Sequence, residues 1–136
     1  PLKIMGRFCE QMTDQMGSDP RVAAVQASCF ARQIKWDGAR RSIERAVHQA
    51  PKDPLIQAWY SLILKESGDR DQASVVLARA TELNRRNEYV LPTILQARFC
   101  QEKELIDCAR QNWQAVYERN PDNISALGGL GWVYWQ

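Results

Sequence analysis

Apolar residues recur along the chain at helical spacing, and the same pattern returns several times. Ala39, Ile43 and Ala46 follow the i, i+4, i+7 spacing of one helical face. The pattern returns after 34 residues and then after a further 36. Its later members are Ala73, Leu77, Ala80, Ala109, Trp113 and Val116. Three aligned copies predict an all-α chain built from one repeated helical motif.

Each copy carries a second signal upstream of its leading alanine. Twelve positions before that alanine stands another small residue, which is Ala27, Ser61 or Ala97. This spacing predicts two antiparallel helices per repeat, with helix–turn–helix repeats over 20–53, 54–87 and 88–123. Half repeats are expected over 2–17 and 124–136, so the single domain 1–136 is interpreted as part of a longer array. The shift of 36 predicts two inserted residues near 86–89.

Helix starts and turns are marked by their own chemistry. Asp19-Pro20 and Asp53-Pro54 each place a capping carboxylate before a proline at the first helical position. Asp37 and Asp69 are candidate caps of two second helices, and Gly68 suits a left-handed turn. The segment Gly128-Gly129-x-Gly131 follows no strand and lacks the residues of a phosphate loop, so it predicts a tight helix crossing.

Near the C-terminus the sequence resembles the tetratricopeptide repeat family. The resemblance is carried by Leu127, Leu130, Gly131 and Tyr134, and it extends over the other repeats through their small residues and prolines. It implies a right-handed superhelical solenoid whose first helices line a concave groove. Such a solenoid binds a partner peptide or helix, as a scaffold in a multiprotein assembly.

The resemblance also implies which positions face the groove. Those expected to bind a partner are Arg21, Ser28, Arg32, Leu55, Leu62, Lys65, Leu91, Ile94, Arg98, Glu102 and Trp132. Ala24, Ala58, Gln101, Ser125 and Gly128 are expected on the same surface. Trp113 is expected in the core. Members of the family that bind a chaperone C-terminus use Lys, Arg and Asn, and the matching positions here hold apolar or small residues, so that activity is not expected.

Composition narrows the function further. The chain is 45% hydrophobic and 25% charged, with a net charge of +2, which is too small to argue for nucleic acid or a membrane surface. No catalytic, metal-binding or cofactor-binding constellation is present, because the single His48 stands alone and no Cys-x-x-Cys pair occurs. The four cysteines are interpreted as small buried hydrophobes in a reducing compartment, and a Cys100–Cys108 disulfide has only their proximity in its favour.

Several alternatives stay open. Ala39-Arg40-x-x-Ile43-Glu44-Arg45-Ala46 is also similar to the half-tetratricopeptide repeats of RNA-processing factors, although the later repeats do not sustain it. Further alternatives are a regulatory repeat region of a larger enzyme and a repeat region of a secretion or polysaccharide-export protein. A cytoplasmic location is expected, with the periplasm as the alternative. Leu127, Leu130 and Tyr134 are expected to lie uncovered, so that the molecule self-associates through its C-terminal helix.

Overall fold

A computed structural model describes Pro20, Arg21, Ala24 and residues 36–136. Within these residues the secondary structure is entirely helical, as predicted. The helices are α1 (Trp36–Gln49), α2 (Pro54–Glu66), α3 (Arg70–Leu83), α4 (Val90–Glu102), α5 (Ile106–Arg119) and α6 (Ile124–Trp135). Pro20, Arg21 and Ala24 are also helical. The predicted half repeat over 2–17 lies outside the described residues.

The chain divides into two compact units, Pro1–Leu83 and Asn84–Gln136. In the first unit α2 packs against both α1 and α3, and in the second α5 packs against both α4 and α6. Consecutive helices within each unit therefore pack as neighbours, which is the arrangement expected of helical hairpins joined by short turns. The stacking of all the hairpins into one right-handed superhelix stays a prediction.

The repeated apolar positions form the cores of both units. Ala39, Ile43 and Ala46 on α1 are completely buried, and all six of their counterparts on α3 and α5 are buried too. Small residues of the first helices meet these positions closely. The Ser61 hydroxyl donates a hydrogen bond to the Ala73 carbonyl at 2.9 Å, which requires α2 and α3 to lie in near contact. A larger residue at either site would separate the two helices.

Two of the predicted capping residues, Asp53 and Asp69, cap their helices, and a third, Asp37, does not. The Asp53 carboxylate accepts from the Leu55 and Ile56 amides at 2.9 and 3.3 Å, with Pro54 opening α2. Asp69 accepts from the Gln72 amide at 3.3 Å. The prediction for Asp37 was wrong, because α1 begins at Trp36 and Asp37 lies inside its first turn. A carboxylate there is still stabilised by the positive end of the helix dipole.

The predicted insertion appears as a longer connection between helices. Residues 84–89 join α3 to α4, whereas 50–53 and 120–123 make the equivalent links, so this connection is two residues longer. Asn84 is buried and bridges the loop by donating to the Tyr89 carbonyl and accepting from the Tyr89 amide, at 2.9 and 3.1 Å. Asn87 adopts a left-handed conformation with φ of 51°, and the Arg119 guanidinium donates to its carbonyl. The extra residues are thus held by specific hydrogen bonds.

Cys100 and Cys108 form a disulfide bond between α4 and α5. Their Cα atoms are 5.7 Å apart, within the range that a disulfide spans. The interpretation of the cysteines as small hydrophobes in a reducing compartment does not describe this pair, for which the structure has the disulfide that only proximity had favoured. The short turn at 103–105 brings the end of α4 beside the start of α5, and the sulfur atoms face each other there. Cys9 and Cys29 lie outside the described residues.

Candidate functional site

The groove residues predicted in the first unit have mixed exposure. Leu55, Leu62 and Lys65 are half-buried along α2, and Arg21 is exposed with its guanidinium 3.3 Å from Asp53. The prediction for Ala24 and Ala58 was wrong, because both are buried in the core and cannot contact a partner. Their methyl groups fill space between packed helices instead. Ser28 and Arg32 lie outside the described residues.

In the second unit the predicted residues occupy α4 and α6. Leu91 and Ile94 are half-buried near the start of α4, Arg98 and Glu102 are exposed toward its end, and Trp132 is half-buried on α6. A concave site brings three of these residues together.

This site is the α4–α6 cleft, an open depression of about 420 Å³ in the second unit. Its volume lies in the range of cavities that bind small ligands or single anchoring side chains. It is lined by Arg98, Gln101, Glu102, Trp113, Ile124, Ser125, Gly128, Gly129 and Trp132. One helical face of α4 and one of α6 thus form the walls, and α5 contributes the floor through Trp113.

The floor of the cleft depends on a close approach between α6 and α5. A Cβ atom added to Gly129 would lie 2.2 Å from the Trp113 ring, so only glycine permits this contact. The Trp113 indole nitrogen donates a hydrogen bond to the Gln101 side chain at 3.1 Å. Because Trp113 is 2% exposed and its polar atom already has this partner, the ring closes the floor and leaves Trp132 as the main aromatic surface of the cleft.

The rim carries charge of both signs. The Arg98 guanidinium lies 3.5 Å from the Ser125 hydroxyl, and this long hydrogen bond connects α4 to the first turn of α6. Glu102 lies one turn further along α4. Among the residues that the structure describes, Arg98 forms no ion pair with a carboxylate, whereas Glu102 already has an interaction partner.

Sequence reasoning placed Arg98, Gln101, Glu102, Ser125, Gly128 and Trp132 on one surface, and missed three residues of the cleft. Trp113 was expected only in the core, where it is indeed 2% exposed, but its ring also forms the floor. Ile124 and Gly129 were not expected to line it. The glycine-rich segment was the available signal, because a tight helix crossing there brings α6 against the ring that forms the floor.

Further properties of the described ranges bear on chemistry. In these ranges no group of three or more His, Cys, Asp or Glu side chains is arranged to hold a metal ion. No helix among them is long and apolar enough to cross a membrane. His48 is exposed.

Comparison of the sequence with models of known protein families gives no match, and comparison with curated proteins gives none either. The resemblance to tetratricopeptide repeats therefore rests on the spacing of residues in this chain.

Proposed function

We propose that this chain is a non-catalytic scaffold of tetratricopeptide-like hairpins that binds a segment of a partner protein along the first helices of its repeats. The α4–α6 cleft is the observation that carries this proposal. It combines a concave shape, the surface of Trp132 and an arginine, Arg98, that forms no ion pair within the described residues. Trp and Arg are among the residues most enriched at interface hot spots. The buried repeat positions of α1, α3 and α5 support the hairpin architecture.

Two double variants test this proposal. Replacing Leu62→Asp and Arg98→Glu together changes α2 and α4 at predicted contact positions. The matched control replaces Arg41→Glu and Arg79→Glu, which are exposed on the second helices α1 and α3. We expect quantitative pull-downs to show partners recovered by the wild type and the control and lost from the first variant. Recovery of the same partners by all three proteins would contradict binding along the first helices.

The RNA-associated alternative makes an opposite prediction. The net charge of +2 offers few partners for phosphates, so we expect no RNA binding at physiological salt. A strong affinity for single-stranded RNA that falls steeply with added salt would favour the alternative and defeat our proposal. An enzyme-linked regulatory role and a secretion or polysaccharide-export role are both compatible with a partner-binding scaffold.

Location is also a proposal. The isolated cysteines of the sequence favoured the cytoplasm, but the Cys100–Cys108 disulfide supports the periplasmic alternative. Structural disulfides persist in oxidising compartments and are rare where glutathione keeps thiols reduced. Thiol labelling of the protein in intact cells separates the two, since a protected Cys100–Cys108 pair supports the oxidising compartment.

A further inference from the structure

We propose that the α4–α6 cleft recognises an internal peptide segment in which a large apolar side chain stands beside an acidic residue. The apolar side chain enters the cleft against Trp132, and the carboxylate pairs with Arg98 at the rim. This inference rests on the proposed scaffold function and adds the chemistry of the partner.

The interior of the cleft selects for an apolar side chain. Trp113 is 2% exposed and has its indole nitrogen bonded to Gln101, so it closes the floor without a free donor, and the apolar contact comes from Trp132. Gly128 and Gly129 add helix surface without side chains, and nothing lies within 4 Å of the Cβ position at Gly128. Trp132 is half-buried, which leaves part of its ring available to an incoming group. Burying a Phe or Leu side chain here removes apolar surface of both partners from water.

The rim near Arg98 selects for a carboxylate. The guanidinium is exposed, and its one printed hydrogen bond among the described residues is to the neutral hydroxyl of Ser125, at 3.5 Å. Ser125 belongs to the first turn of α6, where the helix dipole favours negative charge. A carboxylate bound here gains the cation, the hydroxyl donor and the dipole from one position.

Glu102 does not reverse this preference. It lies one turn further along α4 than Arg98, whose partner Ser125 stands in the first turn of α6, and it has an interaction of its own within the folded chain. Arg98 has no such carboxylate partner among the described residues. The net selection at the cleft is therefore for negative charge next to the apolar anchor.

The open shape of the cleft indicates an internal segment as the source of the carboxylate. Ile124 is 85% exposed and Gly128 is exposed, so the α6 wall leaves room for a chain to continue past the anchor. A site for a free C-terminus needs donors that surround its carboxylate, whereas a single guanidinium and one hydroxyl suffice for a side chain.

Capped peptides titrated into the whole chain provide the test. The probe is an acetylated, amidated Ala/Ser peptide with one Glu-Phe pair, compared with matched peptides carrying Gln-Phe, Lys-Phe and Glu-Ala. Binding is followed through the indole N–H resonances of Trp113 and Trp132 by NMR. We expect the Glu-Phe peptide to bind about fivefold more tightly than the Gln-Phe peptide at low salt, with the difference shrinking as salt is added.

Two cleft variants and one control separate the parts of the site. Arg98→Gln should abolish the preference for Glu over Gln while the Phe-dependent shift persists. Trp132→Ala should remove the preference for Phe over Ala. Arg79→Gln, an exposed arginine on α3, should bind as the wild type does.

The outcomes that overturn the inference are distinct from those that overturn the scaffold function. Equal binding of the Glu-Phe and Gln-Phe peptides, or tighter binding of Lys-Phe, would show that Arg98 does not select the ligand, while leaving the cleft as a binding site. Tighter binding of a free-acid Gln-Phe peptide would assign the carboxylate to a chain terminus instead. If no peptide shifts the two indoles, the inference is wrong. The pull-down comparison of the groove and control variants still judges the scaffold function on its own.

Discussion

At the scale of a single residue, Gly129 controls how closely α6 approaches α5. A Cβ atom there would lie 2.2 to 2.4 Å from three atoms of the buried Trp113 ring. The ring is 2% exposed and is held by Gln101, so it has little room to move away. We expect Gly129→Ala to lower the free energy of unfolding by about 1–3 kcal/mol through overpacking. Urea denaturation followed by Trp fluorescence measures this change.

The adjacent glycine is a matched control for this prediction. Nothing lies within 4 Å of the Cβ position of Gly128, which is on the same helix and exposed. Gly128→Ala should therefore raise the free energy of unfolding, by up to about 1 kcal/mol, because alanine is the better helix former. Equal effects of the two substitutions would mean that the α5–α6 contact does not limit residue size.

Another residue-scale prediction concerns the cap of α2. Asp53→Ala removes the acceptor of the Leu55 and Ile56 amides and should lower the free energy of unfolding by about 1 kcal/mol. Asp53→Asn keeps a capping oxygen but removes the charge that pairs with Arg21. The Asn variant should retain most of the stability, since the guanidinium of that ion pair is more than half exposed and the pair is long, at 3.3 Å. If the Asn variant loses as much unfolding free energy as the Ala variant, the ion pair and not the cap accounts for the loss.

At the scale of elements, the disulfide ties the end of α4 to the start of α5. Closing this short loop restricts the unfolded chain and should stabilise the second unit by about 2–3 kcal/mol. We expect thermal unfolding in the presence of dithiothreitol to begin at lower temperature than without it. In a protein that carries Cys9→Ser and Cys29→Ser, Cys100 and Cys108 are the remaining cysteines, so a count of reactive thiols reports on this pair alone.

A variant of the pair supplies the control for that measurement. Cys108→Ser lacks the bond from the start, so dithiothreitol should leave its melting temperature unchanged. Detection of two reactive thiols in the Cys9→Ser, Cys29→Ser protein before any reductant is added would contradict the disulfide.

Element-scale packing also corrects one expectation about α6. Leu130 was expected to lie uncovered, but it is only 9% exposed and packs with Trp113 and Val116. Leu127 and Tyr134 do lie uncovered, at 50% and 81% exposure. One face of α6 thus packs on α5, and its other apolar face remains in contact with solvent.

At the scale of the whole molecule, that exposed face predicts self-association. It carries Ile124, Leu127, Tyr134 and Trp135, and α6 contains no charged residue that would oppose contact between two copies. We expect the mass measured by light scattering to rise with protein concentration. The variant Leu127→Glu, Tyr134→Lys should remain monomeric over the same range.

Val75 supplies the control for self-association. It is an isolated exposed apolar residue on α3, at 64% exposure. Val75→Glu should associate as the wild type does, because it leaves α6 unchanged. A wild-type protein that stays monomeric at high concentration would contradict the prediction.

The sequence by itself determined the described helices and the repeated apolar positions that are buried in them. Ala39, Ile43 and Ala46 repeat with one helical period, and a period of this kind is local information that any amphipathic helix expresses. The longer 84–89 connection followed from the same register, because an insertion displaces every later position equally. Capping at Asp53 and Asp69 could be predicted because it involves only residues two or three positions apart.

Only the tertiary structure decided which of these residues form a site. The approach of Gly129 to Trp113, the disulfide and the burial of Leu130 each depend on the distance between separate helices. Helical periodicity specifies the face on which a residue lies, but it leaves open how near the next helix comes. That distance is set by the summed packing of all side chains in the contact, and it is what turns scattered groove positions into the α4–α6 cleft.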